Sequence, residues 1–345
     1  MTEVSGTVAA VRPVTNFKPR GPWLSAAVKL GHDRGATVAL VVLVALVLAC
    51  LAAPIYASRV AGTDPFTSNA GGEITVDGRS MPVLQPESEG LGLGLTPIGP
   101  TWRGAYLLGA DGQGRDVAAR LLYGGRNSLL IAAAATLICL GFATLLGVTA
   151  GFCGGWMDAI LNGVLDLLWA FPVYLLAISL SIITISEGLK IGPLTIRSDS
   201  LWLPIVIIGI VYLPYVARPI RGQVLALKRS EFVIAAISLG APMHRILWRD
   251  ILPNVVTTLV VFAPLMIALN MLTESALSFL SIGVQAPDAS WGTIIQDGQT
   301  VIYTRPMVAI APGLAIMITV MALNVLGDGV RDALDPRAKL RFGRR

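Results

Sequence analysis

Charged residues are scarce in this chain of 345 residues, because Asp, Glu, Lys and Arg together make up only 14% of it. A soluble domain of ordinary composition carries roughly 25%. Hydrophobic residues make up 54%, and the mean hydropathy is +0.71. These charged residues are too few to cover the surface of a water-soluble fold of this size. The excess apolar surface must therefore face lipid. The composition therefore predicts an all-α integral membrane protein.

The sequence also lacks the residue patterns of common catalytic and metal sites. Its three cysteines, Cys50, Cys139 and Cys153, lie in or beside apolar stretches without a CxxC spacing, which predicts neither a zinc site nor a disulfide framework. There is no GxxxxGK[ST] phosphate loop, no HExxH and no GxSxG. The two histidines, His32 and His244, are interpreted as solvated surface residues. We expect a non-catalytic chain that binds no cofactor and no metal itself.

Six apolar stretches are long enough to cross a bilayer, which requires about 20 helical residues. They are residues 36–54, 128–151, 159–186, 201–222, 252–276 and 307–327. The first is interpreted as an uncleaved anchor, because no clear small-residue cleavage pattern follows it. The predicted organisation is a cytoplasmic N-terminal arm (1–35), a first transmembrane helix (36–54), an extracytoplasmic loop (55–127), a transmembrane core (128–327) and a basic cytoplasmic tail (328–345).

Basic residues indicate the orientation, since Lys and Arg accumulate at the cytoplasmic ends of membrane spans. Six spans place three basic groups on one side, and both termini are therefore expected in the cytoplasm. The net charge of +5 then reflects orientation and predicts no nucleic-acid partner. The groups are Lys18, Arg20, Lys29 and Arg34; Arg218, Arg221, Lys228, Arg229, Arg245 and Arg249; and Arg331, Arg337, Lys339, Arg341, Arg344 and Arg345.

Two features are predicted in the external loop. Arg115, Arg120 and Arg126 recur at helical spacings beside apolar residues, which predicts an amphipathic helix lying on the outer membrane surface. The run "EITVDGRSMPV" places Asp77-Gly78 between two alternating stretches, which is typical of a hairpin with a type I′ turn. We expect a small ordered hairpin with flexible flanks.

Four polar residues inside the apolar stretches are candidates for lining a translocation path. An ionisable group within a membrane is a functional candidate because its burial in lipid costs about 2.5 to 3.5 kcal/mol. Two other roles are favoured over contact with a solute. One is hydrogen bonding between helices, and the other is solvation at the ends of the spans, where Asp166 and Glu274 are expected to meet water. The candidates are Asp166, Asn270, Thr273 and Glu274.

The stretch "AAISLGAPMHRILWRDILPN", residues 235–254, interrupts the apolar pattern with two short helices. Ser230 is expected to cap the first helix, and Glu231 suits the positive end of its dipole. Ala235 and Ala236 leave room for another backbone to approach, and Gly240 can end the helix in a left-handed conformation. On residue types alone, an ordinary hairpin linking two spans explains the same pattern and is favoured.

The spacing of two alanines, three residues, glycine and a later Leu-Pro resembles the EAA loop of ABC importer permeases. Four further runs resemble, in order, the second-type (C-type) permease subunit of dipeptide and oligopeptide importers. They are "LLGADGQGRDVAARLLYGGRNSL", "DLLWAFPVYLLAI", "ESALSFLSIGVQAPDASWG" and "LNVLGDGVRDALDPR".

This resemblance implies the type I ABC importer permease fold in a bacterial inner membrane, and an importer of peptides. It also implies three kinds of partner besides membrane lipid: a homologous first-type permease, two ATPase subunits that bind ATP and Mg, and an extracytoplasmic solute-binding protein. The segment 223–251 would be the coupling loop that docks on the ATPases. Its implied residues are Glu231, Ile234, Ala235, Ala236, Gly240, Arg245, Leu252 and Pro253.

Two positions depart from the family pattern. Ile234 stands where the family carries the glutamate of the EAA loop, although Glu231 lies one turn earlier on a similar face. Gly163 stands where relatives often carry an arginine three residues before the aspartate, so Asp166 is expected to lack that partner. A self-contained carrier or channel is the alternative function, but internal repeats and midplane ionisable groups would be expected of a carrier.

Overall fold

Long helices dominate the structure, a computed structural model that describes residues 22–335 except 77–78, 87–93 and 192–193. Four helical segments are long and apolar enough to cross a membrane alone: α2 (Arg34–Leu51), α4 (Val117–Cys153), Met243–Phe279 and α13 (Met307–Leu334). Two bent pairs bring the number of crossings to six if each pair is one span. The pairs are α5 (Gly155–Trp169) with α6 (Val173–Glu187), and α7 (Trp202–Val211) with α8 (Leu213–Lys228).

The predicted third and fourth spans are therefore not single straight helices. α5 and α6 meet at an angle of 88°, and α7 and α8 at 44°. Each break lies beside a proline: Pro172 precedes α6, and Pro214 occupies the first turn of α8. Proline disfavours helical geometry in the residue before it, so an apolar run that reads as continuous is bent at that point.

Shorter elements complete the chain. α1 (Pro22–His32) precedes the first span, and α3 (Ala53–Ile55) with a π-helical turn (Tyr56–Ala61) ends it. Between α6 and α7, β5 (Leu189–Ile191) pairs with β6 (Leu194–Ile196). The remaining helices are α9 (Glu231–Ser238), α10 (Met243–Arg245), a π-helical segment (Ile246–Ile251), α11 (Leu252–Phe279) and α12 (Trp291–Gln299).

The loop between the first two spans contains the predicted hairpin and a second one. β1 (Glu73–Val76) pairs antiparallel with β2 (Arg79–Pro82), in register across Val76 and Arg79. The turn residues Asp77-Gly78 lie outside the described residues. β3 (Leu84–Pro86) pairs with β4 (Leu95–Pro97), which the sequence did not predict. In the part of the chain that the structure describes, the candidate spans are helical and the short sheets lie in connecting segments.

The N-terminal arm is helical where it is described. The side-chain amine of Lys29 in α1 donates to the carbonyl of Ala333 at 3.4 Å, so α1 contacts the end of α13. Asp33 then caps α2, accepting from the amides of Gly35 at 2.8 Å and Ala36 at 3.2 Å. Residues 1–21 of the arm and 336–345 of the basic tail lie outside the described residues.

The core forms where α4 packs closely on α8. A Cβ on Gly147 would lie 2.6 Å from the carbonyl oxygen of Ala217, and one on Gly151 would lie 2.9 Å from the Cβ of Val224. Small residues at these crossings let two helix backbones approach within a membrane, where dispersion contacts replace the hydrophobic effect as the driving force. α4 is therefore the central helix, against which α7, α8 and α11 pack.

The predicted interfacial helix before the second span is wrong. α4 begins at Val117 and continues into the membrane without a break. Arg115 donates to Asp111 and to Asp297 of α12 at 2.8 Å each, and Arg120 donates to Asp297 at 2.7 Å. Two carboxylates thus neutralise the arginines inside the protein, so these side chains do not need the headgroup region. Arg126 alone of the three is exposed.

Asp116 fixes the start of α4 to the external loop. One carboxylate oxygen caps the helix by accepting from the amides of Ala118 and Ala119, and the other accepts from Tyr106 at 2.7 Å. Burial raises the pKa of Asp116 above its usual value, although these hydrogen bonds oppose the shift. The buried carboxylate therefore determines where the membrane helix begins.

We expect Asp297→Asn to destabilise the protein by about 2 kcal/mol, since Arg115 and Arg120 would share only Asp111. The Asp297 side chain is 30% exposed, which places the effect at the low end for a broken buried pair. Asp199→Asn is the matched control, because the Arg197–Asp199 pair is 81% and 51% exposed and such pairs contribute little. The midpoint of unfolding in mixed micelles measures both; equal midpoints would contradict the role given to the cluster.

Candidate functional site

The first helix of the candidate coupling loop is α9. It begins at Glu231 directly after Ser230, whose backbone is extended (φ −75°, ψ 148°) as expected at an N-cap. The Ser230 hydroxyl donates to the carbonyl of Leu227 at 2.6 Å and makes no capping bond, so the predicted side-chain cap is wrong. Glu231 lies in the first turn, where its charge favours the helix dipole.

Gly240 ends α9 in the left-handed conformation that the sequence predicts. Its φ is +77°, and a Cβ added to it would meet no atom within 4 Å. The amide of Gly240 bonds to the carbonyl of Ile237, and the amide of Ala241 to that of Ala236. This is the paired arrangement of a Schellman motif. Glycine is needed here for its backbone conformation, while the space around it is open.

α9 has two apolar faces with different surroundings. Val233 is buried in the main core together with Ile246 and Ile251 from the following π-helical segment. Around the rest of α9 and at its C-cap, four large apolar side chains are exposed, with Leu239 reaching 88% exposure. Val233 therefore attaches the loop to the permease body, while these apolar side chains stay open to another surface. The exposed residues are Phe232, Ile234, Ile237 and Leu239.

The two alanines of the loop differ in environment. Ala235 is exposed beside Ile234, whereas Ala236 is half-buried and packs against the main core. Arg245 is exposed in α10. Leu252 packs against the core, and Pro253 stands in the first turn of α11, where a missing amide donor does no harm. The structure thus brings the predicted loop residues together but divides them between an inner and an outer face.

Polar contacts join the loop to the ends of the neighbouring spans. The Lys228 amine donates to the carbonyl of Phe152 at the end of α4 at 2.8 Å. The Gln223 amide donates to the carbonyl of Asn254 at 3.1 Å, which joins α8 to α11. The end of α8, which leads into α9, is therefore joined to both α4 and α11 by direct hydrogen bonds.

Asn270 and Thr273 are buried between helices. The Asn270 amide nitrogen donates to the Thr136 hydroxyl of α4 at 2.8 Å, and the Tyr212 and Thr273 hydroxyls lie 2.8 Å apart. Both contacts are interhelical hydrogen bonds of the kind that small polar side chains make in membranes. In this conformation neither residue faces an open surface.

Glu274 is not near water, contrary to the expectation for a residue close to the end of a span. Its side chain is fully buried between α4, α11 and α12. The Ser278 hydroxyl donates to one carboxylate oxygen at 2.7 Å, and the Ser275 hydroxyl lies 3.4 Å from the other. Because α12 packs over the end of α11, a residue near the helix terminus can still be shielded from water.

Asp166 has a partner that the sequence analysis did not assign. Nη2 of Arg218 donates to its carboxylate at 2.5 Å, and the amide of Asn162 lies 3.4 Å from the other oxygen. Arg218 of α8 thus supplies Asp166 with the positive partner that position 163 does not provide. Arg218 and Arg221 are not in a cytoplasmic gap but within α8, where Arg221 pairs with Asp158. The sequence does carry a signal for these ion pairs, because Asp166 and Arg218 both lie within predicted spans, where a charge requires a partner.

Comparisons with known proteins agree with this architecture. A sequence profile described as "Binding-protein-dependent transport system inner membrane component" matches residues 143–340. The dipeptide transport system permease protein DppC of Alkalihalophilus pseudofirmus is 32% identical over 95% of this chain and 94% of its own length. The glutathione transport system permease protein GsiD of Pectobacterium atrosepticum is 39% identical over 68% of this chain and 74% of its own.

A solved structure shares the fold. The inward-facing MetNI methionine ABC transporter superposes with a TM-score of 0.51 at 17% identity, over 62% of this chain and 96% of the compared chain. The arrangement of helices is therefore that of a type I ABC importer permease, and a self-contained carrier or channel is not supported. The profile match and the full-length similarity to a permease subunit show that this chain belongs to the family of binding-protein-dependent transport system inner membrane components.

Proposed function

We propose that this chain is one of two permease subunits of an ATP-driven importer for peptides and that residues 223–251 couple it to the ATPase subunits. The exposed apolar face of α9 carries the proposal. Phe232, Ile234, Ile237 and Leu239 lie on a short helix whose other face is held in the core. An exposed apolar patch of this kind marks a contact with another protein.

Coupling follows from the attachments of α9. In the proposed complex the ATPases bind ATP and Mg, and their closure displaces α9. The Schellman turn at Gly240 and the buried residues Val233 and Ile246 keep α9 fixed relative to α8 and α11. The displacement then changes which conformation of the permease pair is favoured, which is all that a subunit without a nucleotide site needs to do.

The remaining partners are proposed on the same basis. A homologous first-type permease would form the other half of the path, and an extracytoplasmic binding protein would deliver the solute. The chain would lie in a bacterial inner membrane with both termini in the cytoplasm, in agreement with its basic groups. Asp166, Asn270, Thr273 and Glu274 would then belong to the membrane-embedded half of this path.

The peptide substrate is proposed from the relatives, whose names refer to dipeptide and glutathione transport. In Haemophilus influenzae, the oligopeptide permease OppC is 36% identical over 69% of this chain. These solutes share a peptide backbone with a free carboxylate. We assign the length preference to the binding protein.

We expect Ala235→Leu to reduce ATPase association about tenfold, because overpacking a closed contact costs about 1 to 3 kcal/mol. Leucine is a good helix former and leaves α9 intact. Ala235 is a sharper test than Ala236, whose half-buried side chain contacts the core. Co-purification yield and substrate-stimulated ATP hydrolysis are the measurements.

Ala45→Leu is the matched control, since Ala45 is an exposed alanine of α2 and lies outside residues 223–251. It should leave ATPase association unchanged. Normal association and hydrolysis for Ala235→Leu would reduce this segment to a linker between two spans.

Single cysteines test the orientation. In a background without Cys50, Cys139 and Cys153, Ser68→Cys should react with an impermeant thiol reagent on intact cells, and Ser238→Cys should react only after lysis. Both serines are exposed, so accessibility does not limit the reaction. Labelling of both positions on intact cells is incompatible with six spans.

A substrate panel tests the peptide assignment. In proteoliposomes that contain the whole transporter and its binding protein, di- and oligopeptides and glutathione should stimulate ATP hydrolysis and be taken up. Metal chelates without a peptide backbone serve as the comparison. Stimulation by the chelates alone would overturn the assignment.

A further inference from the structure

One face of α8 is exposed but is not built to contact lipid. Its exposed residues recur at helical spacing and contain no large aliphatic side chain: Tyr215, Pro219, Gly222 and Ala226, with the half-buried Arg218 among them. The exposed residues of α2, by contrast, include Val38, Val41 and Leu48. Lipid-facing helices present aliphatic side chains, so this face of α8 is directed at water or protein.

An ion pair lies in this face at membrane depth. Arg218 is about 15 Å along the helix axis from the end of α8, at 1.5 Å per residue. Its side chain is 33% exposed, and that of its partner Asp166 is 56% exposed. Charges at this depth line a water-filled cavity or pair with one another, and they avoid lipid.

Aromatic rings form a platform around the arginine. The guanidinium carbon of Arg218 lies 4.7 Å from the centroid of the Trp169 ring, within cation–π range. Trp169 in turn packs on Tyr215 with centroids 4.6 Å apart. The Trp169 ring therefore holds one flat side of the guanidinium in place, while the side chain of Arg218 stays partly exposed.

The neighbouring pair shows what a closed arrangement looks like. Arg221 binds Asp158 through Nε and Nη2, both at 2.6 Å, which uses both carboxylate oxygens. Arg218 instead donates from Nη2 alone, and its Nε and Nη1 have no hydrogen-bond partner among the described residues. Nη2 carries a second hydrogen, so Arg218 keeps one guanidinium fork, formed by Nη2 with Nε or Nη1, for another carboxylate.

Pro219 adds an acceptor at the same place. Proline has no amide N–H, so the carbonyl of Tyr215 loses its partner within the helix. Beside Arg218 there are thus the Tyr215 carbonyl, which has no i+4 amide partner, and the carboxylate of Asp166. The guanidinium is the positive group that a solute carboxylate requires, and Asp166 holds it in place.

We propose that Arg218, positioned by Asp166 and Trp169, binds the C-terminal carboxylate of a peptide as it passes this subunit. The inference rests on the proposed function and adds to it a specific contact. The carboxylate would take the guanidinium fork that Asp166 leaves open, while Asp166 keeps the other hydrogen of Nη2 and holds the side chain in place. The contact recognises a feature common to peptides of any length or sequence.

The test compares a tripeptide with its C-terminal amide in proteoliposomes containing the whole transporter, at concentrations that saturate the binding protein. The wild type should import the free acid faster than the amide. Arg218→Gln should lower uptake of the free acid about tenfold, the loss expected for a charge-assisted hydrogen bond, and bring the ratio of the two rates to about one. Arg218→Lys, which keeps the charge without the fork, should give an intermediate ratio.

Arg221→Gln is the matched control, because it removes an arginine of the same helix whose donors are already used by Asp158. It should leave the ratio unchanged. An unchanged ratio in Arg218→Gln, or a wild-type ratio of one, would overturn the proposal. So would loss of the second permease from purified Arg218→Gln complexes, since the face would then be a contact between permeases. Absence of ATP-dependent uptake in the wild type would instead refute the proposed function.

Discussion

Charged groups inside this protein depend on a second element for their counter-charge or hydrogen-bond donor. Arg115 and Arg120 meet Asp297 of α12, and Asp166 meets Arg218 of α8. Glu274 of α11 is hydrogen-bonded by Ser128 of α4 and by Ser290 at the start of α12, as well as by serines of its own helix. Because lipid offers no compensation for an isolated charge, each such contact fixes how two parts of the chain pack. The helices are thus held in register by a few polar contacts as well as by close packing at glycines.

This dependence also explains what the sequence could and could not predict. Four of the six predicted crossings follow from apolar length alone, and the left-handed Gly240 follows from residue type. The partners of Arg120 and Asp166 lie 177 and 52 residues away along the chain. No local pattern encodes such pairs, so Arg120 was predicted to lie at the membrane surface and Asp166 to lack a partner.

Bends and burial at helix ends were missed for a related reason. The 88° bend between α5 and α6 occurs within a run that is apolar throughout, and only Pro172 marks it. Glu274 is near the end of α11, yet α12 covers it. Distance from the end of a span measures exposure only if no other element lies over that end, and the position of α12 is a tertiary property.

α8 combines the two parts of the candidate site. Its buried face packs on α4 through Ala217 and Val224, its exposed face carries Arg218, and its end leads directly into α9. The segment between Arg218 and Lys228 is a helix of about 15 Å, at 1.5 Å per residue. A helix this short bends little, so a displacement of α9 moves Arg218 against Asp166 on α5. Because α5 contributes few side chains to the core, with only Leu165 buried, the ion pair joins a rigid element to a loosely packed one. In the proposed transporter, a displacement of α9 would therefore act on the Arg218–Asp166 pair, at the surface proposed to face the solute.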